Sequence, residues 1–247
     1  MEINRIYHGD SFVLDKEIPD NSVDLILEDM PYNQTSCKWD VKIDLEKYWE
    51  SRKRIIKDNG AIVLTAREPF TSLLVVSNLI SYKHKWVWNK KQSGSFLNVK
   101  FMPLQIEEDV LVFSIGMVKY FPQMRIGKLR IKGGAKKDNG IFIDLKGKYR
   151  TVNNKYYPTN ILDFPNCSNK KNNIHPTQKP VALFEYLIKT YTNEGDLVFD
   201  GFSGSGTTAV ACLNTKRNFI CIEKEQEYFD KSMERIKIEQ SKLSFQF

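Results

Sequence analysis

The chain predicts an α/β fold, a mostly parallel twisted sheet with helices on both faces and one loop-rich insertion. Three observations carry that expectation. Apolar runs of strand length alternate with stretches of helical spacing as far as Phe113, the pattern of strands joined by crossover helices. From about Ile115 to Ile174 the alternation fails, and Gly, Asn, Lys and Pro dominate. It resumes at Pro180 and includes a glycine-rich turn, Gly201 to Gly206, between an apolar run and a helix-like one.

Taken in order, Ile6–Asp10 reads as a short strand ending in an acid. Ser22–Glu28 is an apolar run that ends at Asp29-Met30-Pro31-Tyr32. Glu46–Lys57 has helical spacing through Leu45, Tyr48, Trp49, Ile55 and Ile56, and Asp58-Asn59-Gly60 is expected to stop it. Ala61–Thr65 follows as a strand. Pro69–Ile80 is helical by spacing, with Phe70, Leu73, Leu74, Val76 and Ile80 on its apolar side. Lys85–Trp88 and Val110–Phe113 are two more strands. After the insertion come a helix at Pro180–Thr192, strands at Leu197–Asp200 and Phe219–Glu223 around a helix at Thr207–Asn214, and a charged helix at Glu225–Lys242. The expected organisation is one domain in two halves, 1–115 and 174–247, around an insertion at 116–173. A structureless loop that long inside a compact domain is unusual, which points to a task of its own.

At 247 residues and 41% apolar content the chain supports a sizeable core. No apolar run approaches the ~20 residues that cross a bilayer, and Met1–Arg5 lacks the apolar stretch of a signal peptide. These features read as a soluble, cytoplasmic protein without a membrane partner. Cys37, Cys167, Cys212 and Cys221 lack CxxC spacing, so no metal site is expected. The net charge is +7. Met117–Arg150 holds ten Lys/Arg against Asp138 and Asp144, a net +8, so the rest of the chain is close to neutral. Gly, Tyr and Phe interrupt that basic run. The arrangement suits contact with a polyanion such as nucleic acid, beside the plainer reading of a solvated face.

Two segments carry chemistry. In the second half, a strand, the glycine turn and a helix present backbone N–H groups and a positive helix end to a ligand, and Gly204 and Gly206 let the main chain approach it. Glu223 ends the next strand about 20 residues on, where a carboxylate can accept from ribose hydroxyls. Together they indicate a nucleoside ligand, although the GxGxxG dinucleotide pattern is not met. Asp10 is either an acceptor for an adenine amino group or the N-cap of a helix at Ser11–Leu14. In the first half, Asp29 and the Met30 carbonyl can accept the hydrogens of an exocyclic amine. That favours a tetrahedral nitrogen whose lone pair is free to attack. Pro31 stiffens the turn, and Tyr32 offers a face for a base lifted out of a duplex. A plain strand-to-turn ending explains the tetrapeptide alone equally well.

These segments do not stand alone. His8-Gly9-Asp10, Asp29-Met30-Pro31-Tyr32, the basic insertion, His175-Pro176-Thr177-Gln178-Lys179-Pro180 and Phe202-Ser203-Gly204-Ser205-Gly206 fall in that order. In kind and order they resemble the amino-group DNA methyltransferases of the circularly permuted β type, with their DPPY, HPTQKP and FxGxG motifs. Tyr157–Leu162 resembles the stretch that leads into HPTQKP. The likeness spans essentially the whole chain and is weakest from about Gly116 to Tyr156.

The resemblance implies a Rossmann-like methyltransferase fold, S-adenosyl-L-methionine as methyl donor and duplex DNA as partner. By motif position Asp29, Met30, Pro31 and Tyr32 would be catalytic. Asp200, Phe202, Gly204, Gly206 and Thr207 would surround the cofactor, Glu223 its ribose and Asp10 its adenine. Thr177 and Lys179 would lie at its methionine end, with Lys179 able to pair with the carboxylate. His175 reads as structural, and a Pro-bounded helix start is the plainer reading of that motif. Two residues depart from the family pattern. Met30 replaces the first proline of the tetrapeptide and is expected to soften the turn. Gly201 replaces a proline after Asp200 and is expected to add freedom beside the cofactor. Asp at the head of the tetrapeptide favours adenine N6 over cytosine N4; an RNA or small-amine substrate is a further alternative. Residues 116–173 would form the target-recognition region. Lys90, Lys91 and Lys100 flank a second loop that either faces DNA or is a plain connection. Related enzymes often form homodimers, but no residue pattern here demands one, and none indicates a restriction endonuclease partner.

Overall fold

Every residue of β2 (Val23–Glu28) is buried, as expected for a parallel strand covered on both faces. It lies at the centre of an eight-stranded sheet. The computed structural model describes residues 1–32, 42–93, 98–133, 150–167 and 178–244. The remaining strands are β1 (Arg5–His8), β3 (Ile56–Ala66), β4 (Tyr82–Asn89), β5 (Glu107–Phe113), β6 (Arg125–Gly133), β7 (Arg150–Tyr156), β8 (Ile161–Asp163), β9 (Leu197–Asp200) and β10 (Asn218–Glu223). The large sheet runs β1-β10-β9-β2-β3-β5-β4-β8. All neighbours pair in parallel except β5, which is antiparallel to both β3 and β4.

The helices are α1 (Ser11–Leu14), α2 (Leu45–Ile55), α3 (Phe70–Ser77), α4 (Val181–Tyr191), α5 (Thr207–Thr215) and α6 (Gln226–Ser244). Alternate strand residues point to opposite faces, and two cores follow. Leu25, Leu27, Val63 and Val198 pack with Leu187 of α4, Ala209 of α5 and Ile236 of α6. Ile26, Ile62, Leu64 and Phe199 pack with Tyr48 and Trp49 of α2 and Phe70 and Leu74 of α3.

Several elements depart from expectation. Asp58-Asn59-Gly60 does not separate α2 from a strand, because β3 already begins at Ile56. Val23 pairs with Ile56 and Leu25 with Ala61, so the intervening residues bulge out. The carbonyls of Asp58 and Asn59 accept from the N–H groups of Gly116 and Lys119. Helix α3 stops at Ser77, three residues short of Ile80. Only Phe70, Thr71 and Leu74 of α3 are buried, while Leu73, Val76 and Ile80 are exposed. The apolar spacing there overstated how much of the helix faces the core.

The chain forms two compact units, residues 1–121 with 160–247, and residues 122–159. In the larger unit, Phe121 donates its N–H to the Thr190 carbonyl, and β8 forms the sheet edge beside β4. The smaller unit is the antiparallel pair β6–β7. There the Arg130 guanidinium sits 4.0 Å from the Tyr156 ring centre, and the Tyr156 hydroxyl donates to the Lys128 carbonyl. Among the described residues, no helix is long and apolar enough to cross a membrane.

Candidate active site

Strand order sets the position of the site. From β2 the chain passes through α2 to β3 on one side; from β9 it passes through α5 to β10 on the other. Strands β2 and β9 are direct neighbours, with Leu25 opposite Val198 and Ile26 opposite Phe199. The sheet therefore reverses its winding between them. A crevice opens at the carboxyl ends of such strands, where α/β sheets bind ligands. Asp29 follows β2, Gly201 follows β9, Glu223 ends β10 and Asp10 lies just past β1. All four residues line one cavity of 620 Å³, together with Met30, Pro31, Tyr32, Asp200 and the turn from Phe202 to Ser205. The volume lies within the usual range for small-molecule sites.

On the β2 side, Asp29 is held at both oxygens. The hydroxyls of Tyr32 and Thr65 donate to Oδ1, Tyr32 at 2.6 Å. The Lys179 ammonium donates to Oδ2 at 2.5 Å. Burial, and then the charges of Asp29 and Glu108, push the Tyr32 phenol well above its ordinary value, so it stays a donor. Its ring also packs on Phe70, 5.3 Å between centres. Met30 is 2% exposed and sits in the core beside Ile26 and Tyr48. Its side chain thus anchors the turn where the family has a proline. Lys179, assigned by resemblance to the methionine end of a cofactor, lies here against Asp29.

On the β9 side, Gly204 and Gly206 have φ of 50° and 72°, a region that favours glycine. Gly206 is the N-cap of α5, so the positive end of that helix faces the cavity. The Gly204 N–H donates to Glu223 Oε2 at 2.7 Å, and the Glu225 N–H to Oε1 at 2.8 Å. Burial raises the Glu223 carboxyl above its usual range, although those two N–H groups pull it down. The Thr207 hydroxyl reaches the Lys179 carbonyl at 3.4 Å, joining the glycine turn to the lysine. Asp200 is 2% exposed. It accepts from the Phe202 N–H and the Thr208 hydroxyl, and burial pushes its carboxyl up to about 8. Asp10 caps α1 by accepting from the Phe12 N–H, and it pairs with Lys224 at 3.0 Å. The capping reading of Asp10 is thus realised, and the residue also lines the cavity. Thr177 and His175 lie outside the described residues, as does Cys37.

The sequence reading missed a buried charge network under the crevice. Arg52 of α2 is fully buried and bonds Glu28, Asp15 and Ser11. Its guanidinium lies 5.0 to 5.7 Å from the ring centres of Phe199, Tyr48, Phe12 and Phe202. Burial alone would lower its pKa; Glu28, Tyr48 and Asp15 outweigh that and raise it. The network explains Gly201. The Gly201 N–H donates to Glu28 Oε1 at 3.0 Å, and a β-carbon there would sit 2.2 Å from Ser11 Oγ and 2.4 Å from Arg52 Nη2. Gly201 is therefore closely packed, contrary to the expectation of added freedom. At the loop read either as DNA-facing or as a plain connection, two of the lysines are engaged within the protein. Lys90 is 8% exposed and bonds Glu108, and Lys91 pairs with Asp163. Lys119, counted in the basic segment, is tied to Asp24 at 3.1 Å.

The likenesses to known proteins agree with this arrangement. A family model described as DNA methylase matches residues 23–234. DNA adenine methyltransferase YhdJ of Escherichia coli (strain K12) is 31% identical, over 96% of this chain and 84% of its own. Type II methyltransferase M.HpaI of Haemophilus parainfluenzae is 29% identical, over 90% of this chain and 70% of its own. The crystal structure of the M1.HpyAVI–SAM complex superposes with a TM-score of 0.65 at 29% identity, covering 94% of this chain and 98% of that one. The cytosine-N4-specific PvuII DNA methyltransferase shares the fold at 18% identity, with a TM-score of 0.67 and coverage of 93% and 85%. With its family model spanning nearly the whole chain and its two signature turns meeting in one crevice, the chain belongs to the DNA methylase family.

Proposed function

We propose that the chain transfers a methyl group from S-adenosyl-L-methionine to the N6 amine of adenine in duplex DNA, acting on a base turned out of the helix. One observation carries the reading: Asp29 and the glycine turn line the same cavity at the ends of adjacent strands.

The residues present suit that cofactor. The cavity combines a positive helix end at Thr207 with the carboxylates of Glu223 and Asp10. Ser203 also offers a buried hydroxyl that has no hydrogen-bond partner among the described residues. Gly204, Phe202, Asp200 and Thr207 form the wall, with Gly206 behind it as the N-cap of α5 and packed toward Ser232 and Ile6; Glu223 is the proposed ribose acceptor, and Asp10 the adenine acceptor. When bound, the cofactor supplies an electrophilic methyl group on a sulfonium centre. Asp29 and the Met30 carbonyl accept the two amine hydrogens and keep the nitrogen lone pair out of the ring. Tyr32 and Thr65 fix the Asp29 carboxylate, and Pro31 fixes the path of the turn. Most of the acceleration then comes from orientation and from acceptors already in place. Residues 116–173 are the proposed target-recognition region, with Arg125, Lys128 and Arg130 of β6 available for phosphates.

Cytosine N4 is the second reading, since the same acceptors suit either amine; the aspartate heading the tetrapeptide favours adenine. Nucleoside mass spectrometry of duplex DNA treated with the protein and the cofactor separates them. N6-methyladenine supports the proposal, N4-methylcytosine replaces it with the second reading, and methylation of RNA alone removes both.

A further inference from the structure

We infer that Glu108 is a positioning residue for Asp29: it takes the Lys179 ammonium when Asp29 turns to the target amine. This rests on the reading of Asp29 as the amine acceptor. Lys179 Nζ lies between two carboxylates, 2.5 Å from Asp29 Oδ2 and 3.6 Å from Glu108 Oε2. The two oxygens of Glu108 are unequal. Oε1 accepts from Lys90 at 3.1 Å, whereas Oε2 is buried without a hydrogen-bond partner among the described residues. A buried acceptor left open is costly and calls for a partner in some other state. A shift of about one ångström by the ammonium supplies that partner.

The chemistry at Asp29 requires the same shift. Its Oδ1 already accepts from Tyr32 and Thr65, so Oδ2 is the oxygen left for an amine hydrogen. As the nitrogen–methyl bond forms and the methyl–sulfur bond breaks, the amine nitrogen gains a positive charge, which it afterwards loses as a proton to solvent. An ammonium on the same carboxylate opposes that charge, and at such short range in a water-poor site the repulsion is large. Passing Lys179 to Glu108 frees Oδ2 and keeps the buried ammonium compensated. No proton moves in this exchange. Burial would lower the Lys179 pKa, but the charges of Asp29 and Glu108 outweigh it and raise it, so the side chain is an ammonium. Lys90 stays on Oε1 throughout and keeps Glu108 in place.

The test uses the full chain, duplex DNA and saturating cofactor in single-turnover methyl transfer. Glu108→Gln keeps the acceptor for Lys90 and removes the second charge. The transfer rate should fall roughly tenfold or more, with cofactor and DNA dissociation constants near wild type. In a Lys179→Met background the ammonium is gone, and Glu108→Gln should change the rate less than about twofold. A wild-type rate for Glu108→Gln overturns the inference, and so does an equal fractional loss in both backgrounds, which is what a purely structural role gives. Should the variant fail to fold, the wild-type chain with duplex DNA and a non-reactive cofactor analogue decides. Lys179 on Glu108 Oε2 and off Asp29 supports the exchange; Lys179 still on Asp29 overturns it. If wild type methylates DNA and Glu108→Gln is unaffected, only this inference falls. If wild type methylates nothing, the functional reading falls and takes the inference with it.

Discussion

Gly201→Pro restores the residue common in the family, and the structure predicts that it damages this chain. The Gly201 N–H donates to the fully buried Glu28. Proline has no N–H, so a hydrogen bond to a charged acceptor is lost, about 1.5–3 kcal/mol. Any β-carbon at this position also meets Ser11 Oγ at 2.2 Å, Arg52 Nη2 at 2.4 Å and Glu28 Oε1 at 2.8 Å. Those atoms are ends of side chains, but they are hydrogen-bonded to one another, so moving one breaks its bonds. Clearing the space breaks the Arg52–Ser11 bond at 2.7 Å and strains the Arg52–Glu28 pair at 2.9 Å. Disrupting a buried ion pair costs about 3–5 kcal/mol. Gly201→Ala, which keeps the N–H, isolates that steric part at about 3 kcal/mol. For a chain of this size that lowers Tm by roughly 6–12 °C, and the proline variant should fall further. Thermal melting of both variants is the assay. A Tm within about 1 °C of wild type for either would refute the claim that Gly201 is required by the Arg52 network.

Other outcomes follow from the same geometry. Asp29→Ala should retain cofactor and DNA binding while methyl transfer falls at least ~100-fold, the scale for removing one preorganised electrostatic contact; retained activity by radiolabel transfer contradicts the assigned role. Glu223→Gln should weaken cofactor binding roughly tenfold or more by calorimetry, since a hydrogen bond to a charged acceptor is lost; unchanged affinity removes Glu223 from the ribose site. The Asp200 carboxyl, at about 8 in the folded chain, lies above its unfolded value near ~3.9. The folded state therefore keeps a proton that the unfolded state releases. This contribution to stability is fully present below pH ~4 and is lost as pH rises to about 8, at up to ~1.4 kcal/mol per pH unit. Asp200→Asn should flatten that part of the Tm–pH curve. Parallel curves for wild type and variant would contradict the buried, protonated carboxyl.

Strand positions and the two signature turns were legible because they depend on local features: apolar runs, a proline after an acid, and glycines at positive φ. The side on which each apolar residue lies was less legible. Leu73, Val76 and Ile80 fit a helical stripe, yet all three are exposed: α3 buries only Phe70, Thr71 and Leu74, and Ile80 lies beyond its end. Ion-pair partners were least legible, because sequence spacing carries no record of them. Lys179 and Asp29 lie 150 positions apart, and the glycine at 201 has meaning only beside Arg52. Signals were nevertheless present. Asp24 and Glu28 are buried charges in a strand whose other residues are apolar, and Arg52 falls in register with Tyr48 and Ile55 on the buried stripe of α2. A charge in such a place demands a buried partner.

On this reading the Asp29 turn holds the target amine against the methyl group bound by the glycine turn. The most direct measurement is a crystal structure with duplex DNA and a non-reactive cofactor analogue. That complex should show an extruded adenine whose N6 lies about 3 Å from an Asp29 oxygen, facing the analogue in the cavity between Tyr32 and Gly204. A base seated elsewhere, with its amine bonded to groups other than Asp29, would contradict it.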